Sequence, residues 1–538
     1  MSSFFKRFVE KPIVLLLAIN ILVGLFVFRD YGFSWDEPLF YDYGNALSYA
    51  YSPHEWFSGN FDVSKSYGSS GDDHKTRGPA YLLLAREPVY LLEAFGLDQA
   101  SAWHLINFLF FQLGVYFLYR LAARWVKASA ALAASALFSW QPLLWGHAFL
   151  NPKDPPFLVF FLASVCLGFE MVDSLADEAK NTKQKYFGLL VPAILLGIAT
   201  SIRVLGPLAG LFVVIYAIAR LGKRIAIFIP HLLLYSAIAI LVMFITWPFL
   251  WENPIPNFVG VLSFMSDNPT TLSVLFGGEV YRAGELPRRY LPFMLATTLT
   301  GPVWLLFCMG IVAGYTKLCK RQRTEASTGP FQGLTMLRRK EVISLTLVLL
   351  WFLIPVAYAL VRRPAMYDGL RHFLFILPPV FIFTGFAFEF IINWIASAWL
   401  RAGLVFVLLL PGIAGILQLH PYEYTYYNLF VGGTSQAFRH YETDYWLTCY
   451  KDAVENLEQT VDRPISLYVH REPYIAAYYA DQNVNVHDLR GALAEVTSGD
   501  YILVNTRTNE DRKVFKDAPT ILQVGRGNAI FCMVKQIP

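Results

Sequence analysis

Long apolar stretches alternate with short polar ones along most of the chain. A helix needs about 20 mainly apolar residues to cross the hydrocarbon core of a bilayer, and stretches near that length recur up to residue 418. The pattern predicts about eleven membrane-spanning helices. They are expected near residues 11–28, 103–124, 128–146, 156–173, 186–202, 205–220, 225–247, 291–316, 342–361, 372–395 and 401–418. The fold class predicted for this part is a polytopic α-helical membrane protein.

The last part of the chain has the pattern of a small α/β domain. A helical pattern and several short apolar or alternating runs follow one another there, at 453–460, 465–470, 501–505, 520–524 and 529–534. The last two runs flank a glycine-containing turn and predict a β-hairpin. We therefore divide the chain into a transmembrane domain, residues 1–418, and a small C-terminal α/β domain, residues 419–538.

Composition and charge agree with an integral membrane protein and indicate its orientation. Hydrophobic residues make up 55% and charged residues 16% of the chain, with a mean hydropathy of +0.43. A net charge of +4 is too small to indicate nucleic acid as a partner. With a cytoplasmic N-terminus every predicted inner loop is basic, and an odd number of helices places the C-terminal domain outside. No eukaryotic retention signal is visible, which favours a bacterial inner membrane.

The five cysteines show no metal-ligand spacing. Three of them lie in or near apolar segments, whereas Cys449 and Cys532 lie in the polar C-terminal part. Disulfides persist in oxidising compartments outside the cytosol. The sequence therefore allows a disulfide between these two residues if the C-terminal domain is exported.

Two predicted outer loops are longer than a connector needs to be. The loop at 29–102 ends with an apolar piece interrupted by charges, residues 79–95, which we expect to lie in the membrane interface as an amphipathic helix. The loop at 248–290 is rich in Pro, Gly and Asn. That composition predicts either a mobile lid or a disordered connector, and the sequence leaves both open.

Polar residues gather in four short clusters at the predicted outer ends of helices. These are residues 36–42, 72–79, 151–156 and 367–372. Ionisable groups at a membrane boundary are costly to keep there and indicate a functional site. An arginine fork can hold a phosphate group through two hydrogen bonds, and a carboxylate can take the proton of an attacking hydroxyl. The combination predicts glycosyl transfer from a sugar carried on a polyprenyl phosphate.

In this layout, residues 10–418 resemble the GT-C glycosyltransferases, especially the branch of protein O-mannosyltransferases and bacterial aminoarabinose transferases. The Asp36-Glu37 pair resembles the acidic pair in the first outer loop of that family. The resemblance implies Asp36 as the general base and Glu37 as a residue that orients the acceptor or the base. Asp154 resembles the acid found after the third helix. Arg371-His372 resembles the arginine-aromatic stretch that enters a late helix, which implies Arg371 as a phosphate ligand.

Further basic residues are candidate substrate ligands, each with a structural alternative. They are His74, Arg77, Lys153, Arg203 and His372. Many relatives carry His-Pro-Pro where this chain has Arg-Gly-Pro at 77–79, so a role for the family's histidine does not carry over. Arg203 and Arg77 either hold phosphate or extend to the headgroups, Lys153 either binds substrate or forms a local ion pair with Asp154, and both histidines are either ligands or buried structural residues.

The acids also raise the question of a metal ion. Asp36, Glu37, Asp72, Asp73 and Asp154 offer the oxygen ligands that a divalent cation takes in proteins, and some GT-C enzymes depend on one. The mannosyltransferase branch does not. We therefore predict no metal cofactor and keep a divalent cation as the alternative.

These observations predict an inverting glycosyltransferase. A sugar would move from a polyprenyl-phosphate donor to a hydroxyl of a protein, lipid or glycan acceptor at the outer face of the bilayer. One alternative is a transporter or flippase for lipid-linked saccharides, which would place polar residues at mid-membrane and repeat its halves. The other is a non-catalytic scaffold or sensor whose tail binds a partner in the cell envelope.

Overall fold

The computed structural model describes residues 12–266, 270–326, 332–461 and 464–538, with the backbone alone at residues 72–73, 320–326 and 332–340. Up to residue 419 the chain is mainly helical. The helices of this part are α1 (Ile13–Val27), α2 (Glu37–Ala50), α3 (Pro53–Trp56), α4 (Gly71–His74), α5 (Ala80–Ala94), α6 (Gln99–Ala122), α7 (Ala128–Ser139), α8 (Pro142–Leu150), α9 (Asp154–Ala176), α10 (Thr182–Ile202), α11 (Pro207–Leu221), α12 (Ile225–Ile245), α13 (Pro254–Ser266), α14 (Tyr290–Thr298), α15 (Pro302–Ala326), α16 (Gln332–Arg362), α17 (Leu377–Trp394) and α18 (Ala398–Leu419).

Within the described ranges, eight helices are long and apolar enough to cross a membrane. One of these spans, Pro207–Ile245, covers two predicted segments, which the structure forms as α11 and α12 on either side of a bend at Gly222. Helices α1 and α7 are apolar but shorter. The chain is thus an integral membrane protein by its helices, while the number of eleven spans stays a prediction.

Two predicted spans are broken in the structure, each time just before a proline. The segment expected at 128–146 divides between Ser139 and Pro142, and the one expected at 291–316 divides between Thr298 and Pro302. Proline lacks the amide proton needed inside a helix but fits its first turn. An apolar run therefore continues through each break although the helix does not.

Polar side chains inside the helical part are bonded to one another. Asn20 of α1 donates to Gln112 Oε1 of α6 at 2.9 Å and to Ser139 Oγ of α7 at 2.6 Å, and Trp140 Nε1 donates to Asn20 Oδ1 at 2.9 Å. Hydrogen bonds of this kind hold helices together in a bilayer. We assign these residues to helix packing.

Part of the loop at 248–290 forms a small hairpin that contacts the C-terminal region. Strands β1 (Ser273–Phe276) and β2 (Glu279–Arg282) pair antiparallel. The amide of Gly278 at the turn donates to His440 O at 2.9 Å, and Phe276 forms an isolated bridge with Tyr441. Residues 267–269 lie outside the described ranges. The described part of the loop is therefore folded and fastened to the tail.

The C-terminal region contains a five-stranded sheet and several short helices. The elements are α19 (Gly433–Ala437), α20 (Tyr450–Glu458), β3 (Ile465–Val469), α21 (Pro473–Tyr479), β4 (Val484–Asp488), α22 (Leu489–Ala492), β5 (Tyr501–Asn505), β6 (Thr520–Arg526) and β7 (Ala529–Gln536). The order of the strands in the sheet is β4-β3-β5-β7-β6. Strand β3 is parallel to both β4 and β5, whereas β7 is antiparallel to β5 and β6. The hairpin prediction is confirmed by β6 and β7. Strand β4 was not predicted, because its sequence VNVHD is short and polar.

The tail packs directly on the ends of the helices. His147 of α8 shares a hydrogen bond of 3.0 Å between Nε2 and the Tyr445 hydroxyl. The Asn428 side chain donates to Leu299 O and Ala296 O at 2.8 Å. Buried residues of both parts belong to one continuous hydrophobic core. The chain therefore changes from a helical to an α/β architecture near residue 418, but one hydrophobic core extends through both parts.

Cys449, directly before α20, and Cys532 of β7 form a disulfide. This confirms the pairing that the sequence allowed. Of the other cysteines, Cys166 is buried, and Cys308 and Cys319 are exposed and unpaired.

Removing the disulfide is expected to loosen the C-terminal sheet. The bond joins residues 83 positions apart, and by restricting the unfolded chain it contributes roughly 2–4 kcal/mol to the free energy of unfolding. Cys532→Ala should lower the urea midpoint of tail unfolding, followed by limited proteolysis, whereas the exposed Cys308→Ala should leave it unchanged. Equal midpoints for wild type and Cys532→Ala would contradict the prediction.

Candidate active site

The first and fourth polar clusters meet in an ion pair. Asp36 directly precedes α2, and Arg371 begins a short 3-10 helix, Arg371–Ile376, that leads into α17. Arg371 Nη1 donates to Asp36 Oδ2 at 2.5 Å although the two residues are 335 positions apart. The Arg371 guanidinium also lies 4.8 Å from the centre of the Tyr367 ring. The pairing of Asp36 with Arg371 is the centre of the candidate site.

The environment of Asp36 keeps its carboxyl group ionised. Burial raises its pKa, but the charges of Arg371 and Arg77 and the hydrogen bond from Arg371 lower it more, so the net pKa lies below the ordinary value of 3.8. A carboxylate ionised at neutral pH is able to accept a proton.

The third cluster contributes a second ion pair. Asp154 is the first residue of α9, and the Arg203 guanidinium, just beyond α10, bonds to its Oδ1. Asn151 holds the acid in place, because its Nδ2 donates to Asp154 Oδ2 at 2.9 Å and its Oδ1 accepts from the amides of Lys153 and Asp154 at 3.0 and 2.9 Å. Asp154 is thus paired with Arg203, whereas the side chain of its neighbour Lys153 does not form an ion pair with it and lies at the Phe40 ring.

Arg77 and Lys153 lie against the same aromatic ring. The guanidinium carbon of Arg77 and the Nζ of Lys153 are each 5.7 Å from the centre of the Phe40 ring. Of the carboxylates whose positions the structure describes, none is within ion-pair distance of either cation. Among the described side chains, neither Arg77 nor Lys153 therefore has a direct ion-pair partner.

The cations of the site stand close enough to repel one another. Burial and the charges of Arg203 and Arg77 lower the pKa of Lys153 well below its ordinary value. Burial and the charge of Arg371 lower the pKa of Arg203 to about 9. A bound anion would relieve this repulsion. The chemistry of the set is that of a phosphate site next to a carboxylate.

Glu37 does not join this set, although it follows Asp36 directly. Its carboxylate is fully buried and accepts from the amide of Ser34 at 2.6 Å and from the Tyr41 hydroxyl at 2.5 Å, and it lies 2.9 Å from His104 Nε2. The contact with Ser34 fixes the turn before α2, the contact with Tyr41 lies within α2, and the contact with His104 joins α2 to α6. Glu37 thus contacts the backbone of the turn that carries Asp36 and makes no contact with Arg371. Of the two roles expected for it, orienting the acceptor or orienting the base, these contacts favour the second, and its role stays a prediction.

The two histidines lie at the edge of the site. His74 is buried beside Phe40 with ring centres 4.9 Å apart, and its Nε2 has no hydrogen-bond partner among the described residues. Burial and the charges of Arg77 and Lys153 lower its pKa to about 4, so it is neutral at pH 7. His372 Nε2 accepts from Arg371 Nε at 3.3 Å. His372 therefore orients Arg371, and His74 is an uncharged residue that lines the site.

A glycine brings the Arg77 loop against α10. A Cβ at Gly78 would overlap the carbonyl oxygen of Ser201, two residues before Arg203. Only glycine permits this approach of the two backbones. The glycine of the Arg-Gly-Pro sequence is thus explained by packing, which its comparison with His-Pro-Pro did not reveal.

Gly78→Ala is expected to separate Arg77 from Arg203 and to weaken binding of a polyprenyl phosphate, the ligand class predicted from the sequence, by roughly tenfold or more, because one displaced charged hydrogen bond is worth about 1.5–3 kcal/mol. Thermal stabilisation by a polyprenyl phosphate measures the effect. Gly284→Ala serves as the control, since a Cβ there meets nothing within 4 Å. Equal stabilisation of both variants would contradict the role given to Gly78.

Three residues of the site had no role in the sequence analysis. Asp368 Oδ2 lies 3.2 Å from Arg371 Nη1, and Arg507 and Glu442 of the tail continue the network beyond Asp368. Asp368 lies within the cluster at 367–372, but nothing in its sequence distinguishes a buried partner of Arg371 from a loop residue. Arg507 lies in the hydrophilic stretch TRTNED, which is typical of an exposed turn.

Within the residues whose side chains are described, no group of three or more His, Cys, Asp or Glu is arranged to hold a metal ion. Asp36, Glu37 and Asp154 have the partners given above, and the side chains of Asp72 and Asp73 lie outside the description. The prediction that no metal takes part stays a prediction.

Comparison with protein-family models finds no match, and comparison with curated proteins finds none either. Among solved structures, the apo oligosaccharyltransferase of Archaeoglobus fulgidus is similar with a TM-score of 0.51 and 11% identity, over 94% of this chain and 70% of that one. The AglB oligosaccharyltransferase of the same organism, in complex with an inhibitory peptide and a dolichol-phosphate, gives 0.50 and 11% over the same shares. ArnT from Cupriavidus metallidurans, bound to undecaprenyl phosphate, gives 0.47 and 13% over 97% of both chains.

AglB is a member of the GT-C superfamily. At such low identity the likeness concerns the fold, and the similarity to the oligosaccharyltransferase extends over nearly the whole chain. It agrees with the resemblance seen in the polar clusters. The chain is therefore an integral membrane protein whose fold is similar to that of the GT-C oligosaccharyltransferase of Archaeoglobus fulgidus.

Proposed function

We propose that the protein is an inverting glycosyltransferase that moves a sugar from a polyprenyl phosphate to a hydroxyl acceptor at the outer face of the membrane. The observation that carries the proposal is the meeting of Asp36 with Arg371 beside two cations, Arg77 and Lys153, that form no direct ion pair with a described carboxylate. A base next to an anion site is what this transfer requires. The GT-C fold supports the assignment.

In the proposed reaction the acceptor hydroxyl gives its proton to Asp36. The hydroxyl oxygen forms a bond to the anomeric carbon of the sugar while the bond from that carbon to the phosphate oxygen breaks. The electron pair of the broken bond leaves with the lipid phosphate. Inversion follows, because the nucleophile attacks the face opposite the leaving group.

The basic residues of the site have different partners and are therefore proposed to have different roles. Arg371 is bonded to Asp36 through Oδ2, which leaves Oδ1 for the acceptor proton. Arg203 is paired with Asp154. Arg77 and Lys153 are therefore the residues proposed to bind the lipid phosphate and to stabilise the negative charge that grows on it during transfer. This refines the expectation that Arg371 is itself the main phosphate ligand.

The disulfide supports the proposed orientation. Cys449 and Cys532 are joined in the C-terminal sheet, and such bonds are rare in the cytosol. The sheet lies against the same helix ends as Asp36 and Arg371. We propose that both face the oxidising side of a bacterial inner membrane, with the N-terminus in the cytoplasm.

The proposal is tested with the full chain in proteoliposomes. Undecaprenyl phosphate carrying a radiolabelled hexose or pentose is supplied with a mixture of protein, lipid and glycan acceptors, and free undecaprenyl phosphate is measured by mass spectrometry. We expect release of undecaprenyl phosphate together with label on an acceptor. Movement of the intact sugar lipid across the bilayer without loss of its sugar would instead identify a flippase.

Binding is tested separately with undecaprenyl phosphate and undecaprenol, which differ only in the phosphate. We expect the phosphate to raise the melting temperature of the protein and the alcohol to do so much less. Equal shifts for the two lipids would contradict the phosphate site.

A further inference from the structure

The tail reaches the Asp36–Arg371 pair through one buried arginine. Arg507 follows β5 and is 1% exposed. Its Nη2 donates to Asp368 Oδ1 at 2.7 Å and its Nε donates to Glu442 Oε1 at 2.9 Å. Asp368 in turn lies 3.2 Å from Arg371 Nη1. An unbroken series of ion pairs therefore runs from the tail to Asp36.

Two carboxylates compete for the same nitrogen of Arg371. Nη1 lies 2.5 Å from Asp36 Oδ2 and 3.2 Å from Asp368 Oδ2. Asp368 is fully buried, and a buried carboxylate is costly unless it is paired. Arg507 supplies part of that pairing, so Arg371 can keep its shorter bond to Asp36. Without Arg507, Asp368 would draw the Arg371 guanidinium toward itself.

The backbone before Arg371 also needs support. Asp368 has a φ of 56° and Gly369 one of 64°. A non-glycine residue in this left-handed region is strained and persists only where its surroundings hold it. The ion pair with Arg507 holds Asp368 in this conformation, and the conformation directs Arg371 toward Asp36.

The tail fixes the other side of the pair as well, through Trp35. The Arg507 guanidinium lies 4.3 Å from the centre of the Trp35 ring. The Trp35 amide donates to Trp446 O at 3.2 Å, and the Tyr474 hydroxyl donates to Trp35 O at 2.6 Å. The residue directly before Asp36 is thus held by its ring, its amide and its carbonyl.

We propose that Arg507 is a positioning residue of the transfer site, which acts through Asp368 on Arg371 and through Trp35 on Asp36, and that the C-terminal sheet is therefore a required part of this site. The inference rests on the proposed function, because it assigns Arg507 a part in placing the proposed base. Its structural content can still be tested without turnover.

The first measurement compares Arg507→Met with a matched control. Arg439→Met removes an arginine of the same C-terminal region that pairs with Asp511 at 2.6 and 2.7 Å and touches neither Asp368 nor Trp35. We expect Arg507→Met to lower kcat by roughly 10- to 100-fold with KM for the donor changed by less than about threefold. Arg439→Met should keep kcat within about threefold of wild type.

The second measurement asks whether Arg507 acts through Asp368. Removing the competing carboxylate should return Arg371 to Asp36, so Asp368→Asn combined with Arg507→Met should recover at least about tenfold of the lost kcat, which is a coupling that independent sites do not show. The acid limb of the pH profile should move to higher pH in Arg507→Met alone. Arg77, Lys153 and Arg203 still act on Asp36 there, against the charge of Asp368, and His74 is neutral until the pH falls to about 4, but the bond from Arg371 is weakened.

The outcomes separate the two proposals. A cryo-EM structure of Arg507→Met in nanodiscs should show Arg371 turned from Asp36 toward Asp368, and this holds whether or not the wild type transfers sugar. Should Arg507→Met not fold, Arg507→Lys carries the test, since it keeps the charge but reaches only one of the two acids. An unmoved Arg371, or a loss equal to that of Arg439→Met with no shift of the acid limb, would overturn the inference. Absence of transfer by wild type would count against the proposed function alone.

Discussion

Asp36→Asn is expected to reduce sugar transfer by roughly 10²- to 10⁴-fold, the usual contribution of a general base. Asparagine keeps the size of the side chain and can still accept the hydrogen bond from Arg371 Nη1. It cannot take up the acceptor proton. Because the replaced group does not bind the lipid phosphate in the proposed site, stabilisation by undecaprenyl phosphate should persist. Initial rates of label transfer in proteoliposomes measure the effect.

Asp42→Asn is the matched control for this variant. Asp42 belongs to the adjoining helix, α2, and its Oδ2 accepts from the amide of Ser69 at 2.6 Å without touching Arg371. We expect its transfer rate to stay within about threefold of wild type. An Asp36→Asn protein that folds and turns over at the wild-type rate would exclude Asp36 as the base.

The lowered pKa of Asp36 determines how the transfer rate should change as the pH falls. Burial raises it, but Arg371 and Arg77 lower it to below 3.8. Both the ionised base and the stabilising ion pair are therefore present above the pKa of the unfolded chain and are lost as pH falls through the lower folded pKa. The kcat/KM profile should be flat on its acid side down to about pH 5. A limb centred near pH 6 would point to another base.

The second large effect concerns the phosphate site. Arg77→Gln combined with Lys153→Met is expected to weaken undecaprenyl phosphate binding by roughly 10²- to 10⁴-fold, because each charged hydrogen bond is worth about 1.5–3 kcal/mol and 1.4 kcal/mol is a factor of ten. Either single substitution should cost roughly 10- to 100-fold. Titration of the purified protein with undecaprenyl phosphate, followed by native mass spectrometry, measures the change.

Lys65→Met provides the control for Lys153. Lys65 lies in the same outer loop as Arg77, and its Nζ is 5.4 Å from the centre of the Tyr49 ring, so it makes the same kind of contact outside the site. Its removal should leave phosphate binding unchanged. A loss equal to that of the double variant would show that lipid attraction follows overall charge.

Lys153 also predicts an alkaline limit. Its pKa is lowered well below the ordinary value by burial and by Arg203 and Arg77. The ammonium group is therefore lost at a lower pH than usual for lysine as pH rises, and phosphate affinity should fall with it. The alkaline limb should move to higher pH in Lys153→Arg, because a guanidinium holds its proton more tightly than an ammonium group.

The site residues that could be predicted from the sequence are charged residues at the ends of membrane helices. Asp36, Asp154 and Arg371 stand next to long apolar runs, and a charge beside hydrocarbon is enough to distinguish them from ordinary loop residues. Which cation serves which acid depends on how distant helices approach one another. The pairing of Asp154 with Arg203, and of Asp36 with Arg371, is therefore not encoded in any local pattern.

Glu37 and Arg507 show two limits of predicting site residues from the sequence: Glu37 was expected at the site and is buried elsewhere, and Arg507 was missed. Glu37 shares every local feature of Asp36, yet one residue along, in the first turn of α2, its side chain enters the core and meets His104 and Tyr41. Arg507 has the local sequence of a surface turn, yet the docked sheet buries it. Both outcomes are decided by packing between segments far apart in the chain.

The hydrogen bonds between the segment before α2 and the C-terminal region have a consequence for biosynthesis. The Phe33 amide donates to the Tyr479 hydroxyl 446 positions later, and the Trp35 amide donates to Trp446 O. During synthesis the segment at residues 33–35 is made long before residues 446 and 479, so these two hydrogen bonds form only after the later residues have been made and folded. On the proposed function, chains that stop before Trp446 would lack a formed transfer site and should show no sugar transfer.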